Sequence, residues 1–209
     1  MSGSGILASM GISFNSNTLK VKLKMCVSRI SMQLNKLSNQ LTMDKKTVST
    51  LLADHKDESA RIRVEGIIHQ RNLINVLEIL SLMCELLSTR IGLLTSQNEC
   101  SVDLEESIAS IIYCSKRLDT LPELTECTEQ FQKKFGNKFV TQHINNSSQR
   151  VNPRIVDKLS VTPPGFDIVL QQMQEIADQY SIDWKPNLTS DVYHNDNDIY
   201  KLGSITGGM

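Results

Sequence analysis

Two long apolar patterns occupy the first half of the chain. Leu23, Val27, Ile30, Leu34, Leu37, Leu41, Val48 and Leu51 recur mostly at three- and four-residue steps, interrupted at Asp44. A repeat of that kind keeps one stripe turned towards one partner, and it predicts a first helix over about residues 18–53. Residues 57–94 contain no proline and carry a wider pattern. At about 100° per residue, Leu73, Val76, Leu77, Ile79, Leu80, Met83, Leu86, Leu87, Ile91 and Leu94 cover more than half of the circumference. This predicts one rod of roughly 57 Å, with Asp57 as N-cap and Glu58 in the first turn. A broad stripe needs neighbours on two sides, so this helix is expected at the centre of an all-α bundle. Its more charged first half, with Arg61, Arg63, Glu65 and Arg71, is expected to project beyond the thickest part of the core. The connector around Asp54–Lys56 is short enough to fold the two helices back antiparallel.

Shorter elements follow. Asp103 is expected to open a helix with Glu106 in a capping-box-like contact and Leu104, Ile108, Ile111 and Ile112 buried. Thr120, Pro122 and Glu123 form a second start signal, for a helix that buries Leu124, Cys127, Phe131 and Phe135. Gly136 offers an end or a kink, after which Phe139, Val140 and Ile144 suggest a brief resumption. Asn152 and Pro153 start a short helix. Thr162, Pro163, Pro164 and Gly165 make a firm break. A last amphipathic helix places Phe166, Val169, Leu170, Met173, Ile176, Ala177 and Tyr180 on one face, closed by Trp184 and Pro186. Three regions result: a flexible segment over 1–16, a helical domain over 17–186, and an acidic, Gly-rich flexible tail over 187–209.

Composition sharpens this picture. Of 209 residues, 40% are hydrophobic and only 5% aromatic, which favours helix-on-helix packing. The net charge of −1 is unevenly spread: residues 1–56 hold eight Lys or Arg against two Asp, hence +6, leaving −7 for the rest. A basic first segment on an acidic remainder points to an anionic partner, a membrane surface or an acidic protein face. Lys22, Arg29 and Lys36 stand seven residues apart and so form one line beside the apolar seam. Lys20 and Lys24 lie elsewhere on that helix. Val21, Met25, Met32 and Met43 form a second, sparse apolar line away from the seam. Two readings of it stand: a solvated face with tolerated apolar residues, or an adaptable contact surface.

The chemistry of catalysis finds no support. Cys26, Cys84, Cys100, Cys114 and Cys127 are odd in number and include no CxxC, so they read as reduced thiols in the cytosol. Glu65 and His69 make a single i, i+4 pair without the second copy that a di-metal bundle needs. HExxH, P-loop and nucleophile-elbow patterns are absent. The basic helix lacks the interleaved aromatics of a nucleic-acid binder. The N-terminus has no signal-peptide n-region, no apolar run is seen to approach the ~20 residues of a membrane span, and Ser2 stands where myristoylation needs glycine. The reading is a non-enzyme that needs no cofactor.

Three blocks carry a resemblance. Ala60–Glu65 (ARIRVE), Glu78–Leu94 (EILSLMCELLSTRIGLL), and Lys158–Ser160 followed by prolines and Glu175–Tyr180 resemble the increased-sodium-tolerance family of ESCRT-III-related regulators, over about residues 17–186. The resemblance implies an ESCRT-III-like bundle: a long antiparallel two-helix hairpin with shorter helices packed against it and a last helix folded back. It implies binding to type 1 charged multivesicular body proteins, homo- or co-assembly on anionic membranes, and regulation of the ESCRT AAA ATPase in endosomal sorting, membrane remodelling and abscission. A cytoplasmic protein peripheral to endosomal membranes is expected. Nothing after Pro186 resembles the family's MIT-binding helices, which leaves two readings: these residues are the core domain alone, or contact with the ATPase is indirect. The residues expected at the assembly or membrane interface are Lys20, Lys22, Lys24, Arg29 and Lys36. A second line, Glu78, Ser81, Glu85 and Ser88, has small residues and two carboxylates suited to a basic partner helix, or to a contact with the chain's own shorter helices. The alternative function is a monomeric helical-bundle adaptor with a groove for one partner helix.

Overall fold

The computed structural model describes residues 13–186, and every element among them is an α-helix. The expected tail over 187–209 and most of the expected N-terminal segment lie outside the described residues. The helices are α1 (Ser16–Ala53), α2 (Asp57–Thr89), α3 (Ile91–Ser96), α4 (Val102–Cys114), α5 (Pro122–Phe135), α6 (Asn137–Ile144), α7 (Pro153–Lys158) and α8 (Phe166–Gln179).

Helices α1 and α2 form the antiparallel hairpin. Asn15 caps α1 by accepting from the Thr18 amide at 2.9 Å, a cap that the apolar pattern alone did not reveal. At the tip, His55 takes φ 57°, and the His55 and Lys56 amides return to the Leu52 and Leu51 carbonyls at 3.1 and 2.9 Å. A single left-handed residue thus satisfies the last carbonyls of α1 and turns the chain back. Asp57 is not the N-cap that the sequence suggests. It is the first residue of α2, and its carboxylate accepts the Trp184 indole N–H at 3.0 Å.

The second helix is shorter than expected. It stops at Thr89, and α3 restarts at Ile91 after the turn at Arg90. One further expectation is corrected: α2 is long and apolar enough to cross a bilayer, with an 18-residue window of mean hydropathy 1.3. Part of its apolar surface is taken up by the protein, with Val76, Leu77, Leu80, Cys84 and Leu87 all at 0% exposure, while Ile62 and Leu82 stay exposed.

The core is divided. The main cluster joins Leu19, Leu23, Cys26 and Ile30 of α1 and the second half of α2 to α3–α7. The second cluster joins Val48 and Leu52 to Ala60, Val64 and Ile67, covered by Val169, Met173, Ile176 and Ala177 of α8 and by Trp184. The charged first half of α2 therefore does not project bare: α8 roofs it. Between the clusters, Leu34, Leu37 and Leu41 of the expected seam are only partly buried.

Both expected capping boxes dissolve into tertiary contacts. Glu106 accepts from the Asn152 side chain at 2.6 Å rather than capping α4. Thr120 and Glu123 leave the N-terminus of α5 without a side-chain cap and reach α1 instead. The Asn152 cap forms, with its Oδ1 accepting from the Arg154 amide at 3.0 Å. Gly136, at φ 89°, divides α5 from α6.

Four thiols from four helices (Cys26, Cys84, Cys114 and Cys127) are free and buried in the main cluster. Burial pushes Cys114 up to about 12, so it stays a neutral packing group. Leu80→Ala is expected to cost about 2–5 kcal/mol in denaturant unfolding, because the cavity opens where both faces of α2 are covered. Met32→Ala, 63% exposed, should stay within about 0.5 kcal/mol of the parent; equal losses would show that the exposed line is core.

Candidate functional site

The outward side of α1 is set by its own periodicity. Leu19, Leu23, Cys26, Ile30, Val48 and Leu52 define the buried face. At about 100° per residue, Val21, Met25, Met32 and Met43 fall within about 40° of one another on the opposite side. They are 54%, 44%, 63% and 65% exposed. Among the described residues, a solvent-facing row of one valine and three methionines thus extends along α1.

The five candidate basic residues divide. Arg29 points towards α5, where its Nε lies 2.8 Å from both Glu123 carboxylate oxygens and a terminal nitrogen lies 2.7 Å from one of them. Glu123 is only 2% exposed. Lys22 makes an ion pair with Glu126 one turn further along α5. Beyond them, Gln33 donates to the Thr120 carbonyl at 2.8 Å and accepts from the Thr120 hydroxyl at 3.2 Å. At the other end, the Asn15 amide donates to Gln130 at 3.0 Å. The line Lys22–Arg29–Lys36 is therefore not one free surface. Its first two members hold α5 onto α1, and Lys36 lies past the end of that contact.

Lys24 and Lys36 are exposed and Lys20 is half-buried. Among the described residues none of the three makes an ion pair. Lys24 and Lys36 flank the Val21–Met43 row on its two sides in the helical projection, with Lys46, also exposed, near Lys24. Long lysine stems beside apolar side chains can lie along a partner surface while their charges stay hydrated.

On α2, Glu78 and Glu85 are exposed, Ser81 is half-buried, and Ser88 is buried at 8% exposure. The line thus splits as well: Ser88 faces the chain's own helices, while Glu78 and Glu85 border Leu82, which is 67% exposed. One molecule so presents a basic, methionine-bearing strip on α1 and an acidic strip on α2.

Among the described residues, no group of three or more His, Cys, Asp or Glu side chains could hold a metal ion. Glu123, Glu126, Thr120 and Gln130 are the interface residues that sequence reading missed. Their one visible signal was the pairing of two carboxylates three residues apart in an otherwise amphipathic helix.

The comparisons with known proteins bear on these faces. A family model described as Ist1, regulator of Vps4 activity in the MVB pathway, matches residues 20–183. An IST1-like protein of Dictyostelium discoideum is 40% identical over 174 residues, which is 83% of this chain and 47% of that protein. Vacuolar protein sorting-associated protein IST1 of Saccharomyces cerevisiae is 30% identical over 179 residues, 78% of this chain and 57% of the relative. The chain thus spans about half the length of the curated relatives it matches. Among solved structures, the S. cerevisiae Ist1 N-terminal domain in complex with the Did2 MIM motif superposes with a TM-score of 0.74 at 29% identity. The match covers 85% of this chain and 97% of that one.

The ion pair between α1 and α5 has a pH signature. Burial raises the Glu123 carboxyl, but hydrogen bonding and charge from Arg29, with Lys22 behind it, outweigh burial and leave it below its ordinary value of 4.5. A carboxyl depressed by folding stabilises the fold above its unfolded pKa, and that contribution is lost as pH falls through the folded value. Thermal stability is therefore expected to fall as pH drops below about 4.5. Glu123→Gln should flatten the part of this acid slope that Glu123 contributes; an unchanged slope would remove the pair from the closure of α5 on α1.

Proposed function

This chain belongs to the Ist1 family, regulators of Vps4 activity in the MVB pathway, and from that premise we propose that it works by association rather than catalysis. In this reading it binds a helical motif of a type 1 charged multivesicular body protein. It co-assembles with that protein on anionic endosomal membrane, and through the assembly it acts on the AAA ATPase that dismantles ESCRT-III polymers. The S. cerevisiae relative was solved with the Did2 MIM motif bound, which supports a helical ligand of that kind here. The protein is then cytoplasmic and peripheral to the membrane.

The observation that carries the reading is the free strip on α1. Val21, Met25, Met32 and Met43 stand in water beside Lys24 and Lys36, which make no ion pair among the described residues. An apolar row bordered by lysines fits a lipid surface or an acidic helix. The acidic strip at Glu78 and Glu85 is the complementary face on the same molecule, and a contact between unlike faces extends into an open row unless it closes. Lys22 and Arg29 play a different part: they keep α5 on α1. That engagement favours the second reading, in which the closed monomer accepts one partner helix at fixed stoichiometry and forms no polymer.

Lys24→Gln with Lys36→Gln should weaken binding to vesicles rich in phosphatidylserine. Each lysine near an anionic surface is worth about 1 kcal/mol, so the pair predicts a loss of roughly 30-fold at low salt in sedimentation. Circular dichroism should stay unchanged. Equal sedimentation of variant and parent would exclude this strip as the membrane face.

The partner is tested separately. Titrating the C-terminal helix of a type 1 charged multivesicular body protein should saturate at one helix per chain, and adding the whole partner should yield particles that grow with concentration. A complex of fixed size at every concentration would favour the monomeric adaptor, and no binding of the helix would remove the partner from the proposal.

A further inference from the structure

The second core cluster is joined to the rest of the chain by the α1–α2 hairpin and by a strap between α7 and α8. The strap, residues 160–165, has no helical structure. Val161 is 95% exposed, and Ser160, Thr162 and Pro163 are exposed too. Among the described residues, no backbone hydrogen bond ties residues 161–164; the bonds resume where Ile168 donates to the Gly165 carbonyl at 3.0 Å. The Thr162 hydroxyl lies 2.9 Å from that of Ser160, and the Thr162 amide donates to Ser160 Oγ at 3.3 Å. Lifting this segment into an extended conformation breaks those local bonds and the packing of half-buried Pro164, and no backbone–backbone bond among the described residues.

The sequence at this point is specific. The chain has five prolines, and only Pro163 follows a serine or threonine. Thr162-Pro163 is thus the one proline-directed acceptor in the 209 residues, and it falls on an exposed strap whose hydrogen bonds are local. Beneath the strap, α2, the end of α7 and α8 enclose a cleft of about 590 Å³ lined by His69, Arg71, Lys158, Gln172 and Thr162. Its two permanent cations are weakly held. Lys158 lies 3.5 Å from exposed Asp157. Arg71 donates to Gln172 and lies 3.9 Å from Glu175. Both side chains can turn to a stronger acceptor.

We propose that Thr162 is the phosphorylation site of a proline-directed kinase, and that Lys158 and Arg71 receive its phosphate in the cleft. The γ-phosphoryl group of ATP passes to Thr162 Oγ1. The P–O bond to ADP breaks, a new P–O bond forms, and the hydroxyl proton leaves to the kinase's base. The product carries about −1.5 to −2 charges and three strong acceptor oxygens. Asp157 and Glu175 oppose it, but each offers one carboxylate to one cation, whereas the phosphate can bridge Lys158 and Arg71 together. The modification then fastens the strap to α2 and holds α8 over the tip of the hairpin, whichever partner binds α1.

The test uses the whole chain, magnesium–ATP and a purified mitogen-activated-type kinase. Peptide mass spectrometry is expected to find one phosphate on Thr162 and none on Ser160, which lacks a following proline. Thr162→Ala should abolish incorporation. Phosphorylation is then expected to slow amide exchange in residues 159–165 by roughly tenfold, the effect of a new charge-assisted bond. Lys158→Gln should remove most of that slowing. Arg71→Gln should remove the rest, with thermal unfolding checked because Arg71 also contacts α8. Incorporation elsewhere, or none, overturns the acceptor. Exchange that is equally fast with and without phosphate, or slowed equally in Lys158→Gln, overturns the receiving cleft.

Discussion

The structure depends on one constraint: two long amphipathic rods must cover their apolar seams by lying antiparallel, and their length exceeds what one packed core can enclose. The chain meets this by dividing the coverage. Helices α3–α7 close over the end that holds the chain's first buried residues, and α8 closes over the tip. The middle of α1 is left with half-buried leucines. Two clusters on one hairpin make a molecule whose ends are packed by different segments, joined outside the hairpin by a strap without regular structure.

Electrostatics follows that geometry. Between α1 and α5 a nearly buried carboxylate meets a guanidinium through paired hydrogen bonds. Such a bond fixes orientation as well as supplying energy. It also assigns roles among side chains of one type. Lys22 and Arg29, which face α5, are engaged with it, and Lys45 near the tip donates to Gln179 of α8, whereas Lys24 and Lys36 make no ion pair among the described residues. Helix periodicity decides which is which, together with where α5 happens to end.

Much of the architecture was legible in one dimension. The periodicities at 18–53 and 57–94 described a hairpin because three- and four-residue spacing has few other outcomes over such lengths. Gly136, Asn152–Pro153 and Thr162–Gly165 marked boundaries for local backbone reasons, and the structure has boundaries there. Local signals failed where their side chains had a better partner across space. Thr120 and Glu123 look like a capping box, yet α1 offers Gln33 and Arg29 at that point, and the box does not form. Asp57 looks like a cap, yet the Trp184 indole, 127 positions further along the chain, takes its carboxylate.

The candidate site shows the same division. The chain by itself determined that α1 has a basic character, that methionines recur opposite its seam, and that residues 57–94 want neighbours on two sides. Those properties depend on spacing along a single helix, and spacing is written in the sequence. Only the tertiary structure decided that Lys22 and Arg29 are taken, that Lys24 and Lys36 are exposed and make no ion pair among the described residues, and that Ser88 is buried while Glu78 and Glu85 face outward. An ion pair between residues 94 positions apart has no local trace, because it exists only once α5 has been laid against α1.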